Sequence, residues 1–115
     1  MSLYLTPINI GEVTIIDVAG RITLGENTKA FRDLIREQAA GGRRKILLNL
    51  ADVTYIDSSG IGELVSAFTT VKNSGGELKL LNLTKKVHDL LQITKLYTVF
   101  DIKDDEATAI SAFTK

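Results

Sequence analysis

Cysteine is absent from this 115-residue chain, and histidine occurs once. The first absence removes disulfides, thiolate catalysis and cysteine-bound metal together. An excess of one charge is missing too: fourteen basic residues face fourteen acidic ones. That balance argues against a general nucleic-acid or membrane-surface binder, because both depend on surplus positive charge. No apolar run approaches the roughly 18 residues of a membrane span, and the first residues lack the basic-then-apolar pattern of a signal peptide. A soluble cytoplasmic protein is the expectation. Repeats, low-complexity tracts and linkers long enough to separate domains are also lacking. One domain spanning residues 1–115 is therefore expected, with a hydrophobic content of 44% that supplies an ordinary globular core.

What is present alternates in type along the chain. Residues 3–10 and 12–20 read as two strands joined tightly around Gly11, the second rich in the β-branched residues that suit a pleated surface. Residues 28–40 read as a helix with Phe31, Leu34, Ile35 and Gln38 along one face, ended by Gly41-Gly42. Lys45-Ile46-Leu47-Leu48-Asn49-Leu50 is a short apolar run bounded by charge, as a central parallel strand should be. A loop through Tyr55-Ile56-Asp57 follows, then a helix to about residue 72 on which Ile61, Leu64, Val65 and Phe68 recur at helical spacing. After the Asn73-Ser74-Gly75-Gly76 stop come a strand at 77–82, a short helix at 84–92, a strand at 98–102 and a helix at 104–113. The fold class is thus α/β, in the order β-β-α-β-α-β-α-β-α, with a mixed, mostly parallel sheet and helices packed against it.

In such sheets functional groups gather at the carboxyl ends of the strands. The segment Asp57-Ser58-Ser59-Gly60-Ile61-Gly62 lies at one of them, between strand and helix. Two hydroxyls at a helix N-terminus make a place where a phosphate can be attached and tolerated. Any of Asp57, Ser58 or Ser59 can equally cap the helix, and composition alone does not say which. Gly60 and Gly62 either let a partner approach closely or let the helix pack closely on the sheet. His88 with Asp57 and Ser58 suggests a hydrolase triad on paper, but His88 falls on the polar side of its helix and no G-x-S-x-G elbow is present. Lys85-Lys86 and Arg43-Arg44-Lys45 are accounted for as solvated element ends. No paired acid and base and no metal-ligand cluster emerges, so the chain is not expected to be an enzyme or to hold a metal or cofactor.

These residues carry a family resemblance. Asp57-Ser58-Ser59-Gly60-Ile61-Gly62 resembles the signature of the STAS domain, and specifically of bacterial anti-sigma factor antagonists. Leu48-Asn49-Leu50 precedes it at the expected distance, and Gly75-Gly76-Glu77-Leu78 resembles the family's glycine stop. The resemblance covers the whole chain and implies a STAS fold. It further implies that Ser58 is phosphorylated by a partner that is both anti-sigma factor and serine kinase. The unmodified antagonist would bind that partner and free the sigma factor, and a phosphoserine phosphatase would reverse the modification. Asp57, Ser59, Gly60, Ile61, Gly62 and Leu64, with Thr23 and Leu24 from a neighbouring loop, would form the partner surface. One departure stands out. Where the family often carries an acidic residue after this glycine, in a pattern like G-x-L-D, Gly20-Arg21-Ile22-Thr23 places a threonine, which supplies no carboxylate.

Two other classes compete. A STAS adaptor subunit of a larger regulatory or transport assembly, with or without a bound nucleotide, would share the fold but not the phosphorylation. A response-regulator receiver would need an acidic pair after its first strand to hold Mg²⁺, and Asn9-Ile10-Gly11 stands there instead. A monomer is the expected state, given balanced charge and a single compact core.

Overall fold

The structure is a computed structural model that describes residues 3–113. The first two residues, to which the sequence assigns no functional weight, and the last two lie outside the described residues. Five strands form one sheet in sequence order: β1 (Leu3–Ile10), β2 (Val13–Ile22), β3 (Lys45–Ile56), β4 (Glu77–Leu81) and β5 (Asp101–Lys103). β1 runs antiparallel to β2, and every later pairing is parallel. Among the described residues four helices fill the crossovers and follow β5: α1 (Glu26–Ala40), α2 (Ser58–Asn73), α3 (Lys85–Ile93) and α4 (Glu106–Ser111). The element order and mixed sheet are those expected.

The reason β3 reads as an unbroken apolar run is that both of its faces are covered. Ile46, Leu48 and Leu50 enter the main core with Phe31 and Ile35 of α1, Leu64 and Val71 of α2, and Val87 and Leu91 of α3. Leu47 enters a smaller cluster with Val13, Ile15, Leu81 and the α4 residue Ala109. All of Ile46, Leu47, Leu48 and Leu50 are fully buried. At roughly 1.5–3 kcal/mol for each fully buried aliphatic side chain, this strand is the centre of the hydrophobic stabilisation.

Element ends differ from the sequence reading in ways that local chemistry explains. β3 does not stop at Leu50 but continues to Ile56, and β2 continues to Ile22. The pairing advances from Asp17↔Asn49 to Ala19↔Asp52 and from Gly20↔Val53 to Arg21↔Tyr55, so β3 carries an extra residue at each of two bulges. Those bulges let Leu50, Val53 and Ile56 all enter the main core despite irregular spacing. β5 begins only at Asp101, because the Val99 amide donates to the Leu96 carbonyl and keeps the preceding residues in a turn. α4 begins at Glu106 because the Asp105 carboxylate accepts from the Thr108 amide and caps it. At the amino-terminal end of the sheet, Gly42 and Gly75 take positive φ angles of 86° and 87°, where a side chain would be strained.

Candidate functional site

The extension of β2 and β3 defines the site. Their last paired residues, Ile22 and Ile56, deliver the chain to two neighbouring loops, one leading into α1 and the other into α2. Asp57 ties the two together. Its amide donates to the Ile22 carbonyl at 3.4 Å. One carboxylate oxygen accepts from the Gly60 amide at 2.8 Å, and the other accepts from the Leu24 amide at 3.4 Å. Asp57 is therefore the N-cap of α2, with extended backbone at φ −109°. The ambiguity among three capping candidates resolves in favour of the residue before the serines.

That assignment leaves Ser58 unencumbered. It occupies the first position of α2, is exposed to solvent, and among the described residues its hydroxyl meets no hydrogen-bond partner. Ser59 is half-buried beside it. In the facing loop Leu24 is 77% exposed, while Thr23 is half-buried with its hydroxyl 3.5 Å from the Asn27 side-chain amide. Asn27 also donates to the Arg21 carbonyl at 3.0 Å, which braces the loop. The loop and β3 border a shallow open depression lined by Arg21, Thr23, Leu24, Asn27, Tyr55 and Asp57.

Other members of the expected partner surface point inward, and this is a correction. Ile61 and Leu64 are 2% and 0% exposed and belong to the main core. The amphipathic spacing that identifies the helix also directs these two side chains at the sheet, so they hold α2 in place and present no surface. Gly60 is buried as well. A Cβ there would overlap the Ile22 carbonyl oxygen and lie 2.7 Å from Ile56 Cγ1, so its lack of a side chain serves helix-on-sheet packing. Gly62 is exposed, and a Cβ there would meet nothing within 4 Å. Beside it, Glu63 receives both the Nε (3.3 Å) and Nη2 (2.6 Å) of Arg32, a fork that fastens α1 to α2 and raises the guanidinium pKa.

The structure adds three residues that sequence reasoning missed. Arg21 lies 4.4 Å and Lys86 4.5 Å from the centroid of the Tyr55 ring, placing two cations on one aromatic next to the Asp57 loop. The Arg21↔Tyr55 register that brings the first pair together exists only past the β3 bulges. His88 is on the exposed side of α3, 3.5 Å from Asp89, which is itself bound to Lys85 at 2.6 Å. No helix among the described residues is long and apolar enough to cross a membrane.

This arrangement has known counterparts. The STAS domain model matches residues 4–109. The anti-sigma-B factor antagonist of Bacillus subtilis is 36% identical over 87 residues, covering 76% of this chain and 78% of the relative. A solved structure from Thermotoga maritima superposes with a TM-score of 0.85 at 27% identity, covering 93% of this chain and 92% of the other. The anti-sigma factor antagonist SpoIIAA in its unphosphorylated form shares the fold, with a TM-score of 0.78 at 22% identity and coverages of 96% and 94%. Its phosphorylated Bacillus form matches with a TM-score of 0.72 at 21% identity, with coverages of 96% and 97%. A sheet of this order, an aspartate-capped second helix and these relatives together establish that the chain belongs to the STAS-domain family, on the branch of the anti-sigma factor antagonists.

Proposed function

We propose that this protein binds an anti-sigma factor in its unmodified state, and that phosphorylation of Ser58 by the same partner, acting as a serine kinase, releases it. A phosphoserine phosphatase would restore binding, all within the cytoplasm. The observation that carries the reading is the division of labour at the start of α2: Asp57 supplies the cap, so the exposed Ser58 hydroxyl is available without breaking any contact of the fold. A phosphate there would add about −1.5 to −2 charges. The positive end of the α2 dipole favours it, while the adjacent Asp57 carboxylate opposes it. The fold is thus nearly indifferent to the modification, whereas a partner packed over Ser58, Gly62 and Leu24 would have to bury a dianion.

Regulation then works through surface charge and leaves the fold as it is. Ser58→Asp is expected to weaken binding of the anti-sigma factor while shifting stability by less than about 0.5 kcal/mol. Calorimetric titration and urea denaturation of the same preparations measure the two effects, and undiminished binding by the variant sinks the electrostatic account. The direct test is incubation with candidate serine-kinase anti-sigma factors and Mg-ATP, followed by mapping of phosphate by mass spectrometry. Phosphate on Ser58 that is absent from Ser58→Ala supports the switch. Stable binding to an active kinase without phosphate transfer points instead to an adaptor role.

A further inference from the structure

Tyr55 is half-buried near the end of β3, two residues before Asp57, and two cations rest on its ring. Arg21 reaches it from β2, with the guanidinium carbon 4.4 Å from the ring centroid, and Lys86 reaches it from the start of α3, with Nζ at 4.5 Å. Because one ring serves both, the two charges lie within about 9 Å of each other, roughly one screening length in physiological salt. An aromatic ring attracts a cation through its quadrupole but has no net charge, so it cancels neither. No carboxylate cancels them either: among the described residues Arg21 and Lys86 form no ion pair. Lys29, Arg32, Lys45 and Lys85, by contrast, each meet an acidic partner at 2.6–2.9 Å. Other cations are unpaired as well, but only on Tyr55, among the described residues, do two converge on one ring.

The cluster continues the surface proposed for Ser58. Arg21 and Tyr55 line the same shallow depression as Thr23, Leu24 and Asp57, and Asp57 directly precedes Ser58. Two acidic side chains, Asp57 and Glu26, also border that depression. Both oxygens of Asp57 already accept from amides, and Glu26 stands in the first turn of α1, which follows β2. Lys86 enters from the other side of β3, because α3 follows β4. The positive patch therefore runs from Tyr55 toward α3, away from Glu26. At the second position of α3 the positive end of that helix's dipole adds to the Lys86 charge. We infer that Arg21, Tyr55 and Lys86 form the part of the interface that selects the partner, by receiving an aspartate- or glutamate-bearing segment of the anti-sigma factor. The inference rests on the binding reading given above and adds which charge the partner presents. An arriving carboxylate relieves the repulsion between the two cations, and the ring already holds both side chains, so binding loses little of their rotamer freedom.

The test is calorimetric titration with the anti-sigma factor that binds the unmodified protein, at low and at high salt. Lys86→Gln is expected to weaken binding about threefold at low salt, and the double variant Arg21→Gln/Lys86→Gln about tenfold, the usual size of one and two solvent-exposed ion pairs. Both losses are expected to shrink at high salt, and Lys86→Arg, which keeps the charge, to bind as the parent does. Lys86 is exposed, so its substitution leaves the fold intact, and urea denaturation confirms the same for the double variant. Undiminished affinity of the double variant overturns the inference, and so does a loss that is equal at both salt concentrations. The sign of the partner's charge is read by exchange: Lys86→Glu is expected to recover binding when one acidic residue of the anti-sigma factor is changed to lysine. Failure of every such exchange across the partner's surface acids overturns the carboxylate assignment. Weaker binding by the double variant with undiminished binding by Ser58→Asp leaves this contact standing and removes the switch; the converse removes this contact alone.

Discussion

Of the two glycines on the first turns of α2, Gly60 faces the sheet and Gly62 faces solvent. One helical residue separates them, yet a methyl group added to the first would strike the Ile22 carbonyl, and one added to the second would meet nothing within 4 Å. The same contrast divides the whole motif. Gly60, Ile61 and Leu64 are interior residues that seat the helix, whereas Ser58 and Gly62 are surface residues that the seated helix displays. A six-residue string that reads as one functional unit is two interleaved units, one that positions and one that is presented. The spacing follows from helix geometry, since residues 60, 61 and 64 share a face and 58 and 62 share another.

The largest effect that could break this division is expected at Gly60. In Gly60→Ala the new Cβ meets backbone, which cannot rotate away as a side chain can, so α2 must lift from β2 and β3. A loss of about 3 kcal/mol is expected, at the upper end for overpacking, and it is read directly from urea denaturation. A loss below about 1 kcal/mol would mean that α2 slides freely on the sheet, and the positional half of the comparison would fail.

Asp57 stands on the boundary between the two halves, and a smaller effect is expected there. Asp57→Ala removes the cap of α2, costing about 1 kcal/mol, and also releases the Leu24 amide. Asp57→Asn keeps an acceptor for the Gly60 amide and is expected to recover most of that stability. Amide hydrogen exchange at Leu24 and Gly60 separates the roles: alanine is expected to expose both, asparagine chiefly Leu24. Equal stability of the alanine variant and the parent would show that the cap contributes nothing, and Ser58 would then be no freer than its neighbours.

How much of this was legible in the sequence follows from which forces act locally. Alternation of apolar residues, glycine stops and the helical spacing of Phe31, Ile35, Ile61 and Leu64 are local signals, and they located every element in the right order. The run from Ala51 to Tyr55 was not legible as strand, because exposed Ala51, Asp52 and Thr54 interrupt the alternation. It is strand only because β2 is long enough to pair with it, and that pairing tolerates two bulges. Consequently the Arg21–Tyr55–Lys86 cluster, which depends on register past those bulges, left no trace in the spacing. The inward direction of Ile61 and Leu64, by contrast, was implied by the very periodicity that marked the helix. Membership of a motif is not membership of a surface, and burial separates the two.

The smallest expected effect is also the sharpest probe of the presented half. Gly62 has ordinary helical backbone, with φ outside the positive region, and lies beyond the first turn of α2. Gly62→Ala should therefore stabilise the protein by roughly 0.5–1 kcal/mol, because alanine loses less conformational freedom than glycine on joining a helix. In the proposed interface the open space over Gly62 would let a partner approach closely, so a methyl group added there tests that contact. The expectation is a higher denaturation midpoint together with weaker binding to the anti-sigma factor, with a larger side chain such as Gly62→Leu weakening binding further. If binding were unchanged across glycine, alanine and leucine, Gly62 would lie outside the interface, and the presented surface would contract to Ser58 and the Leu24 loop.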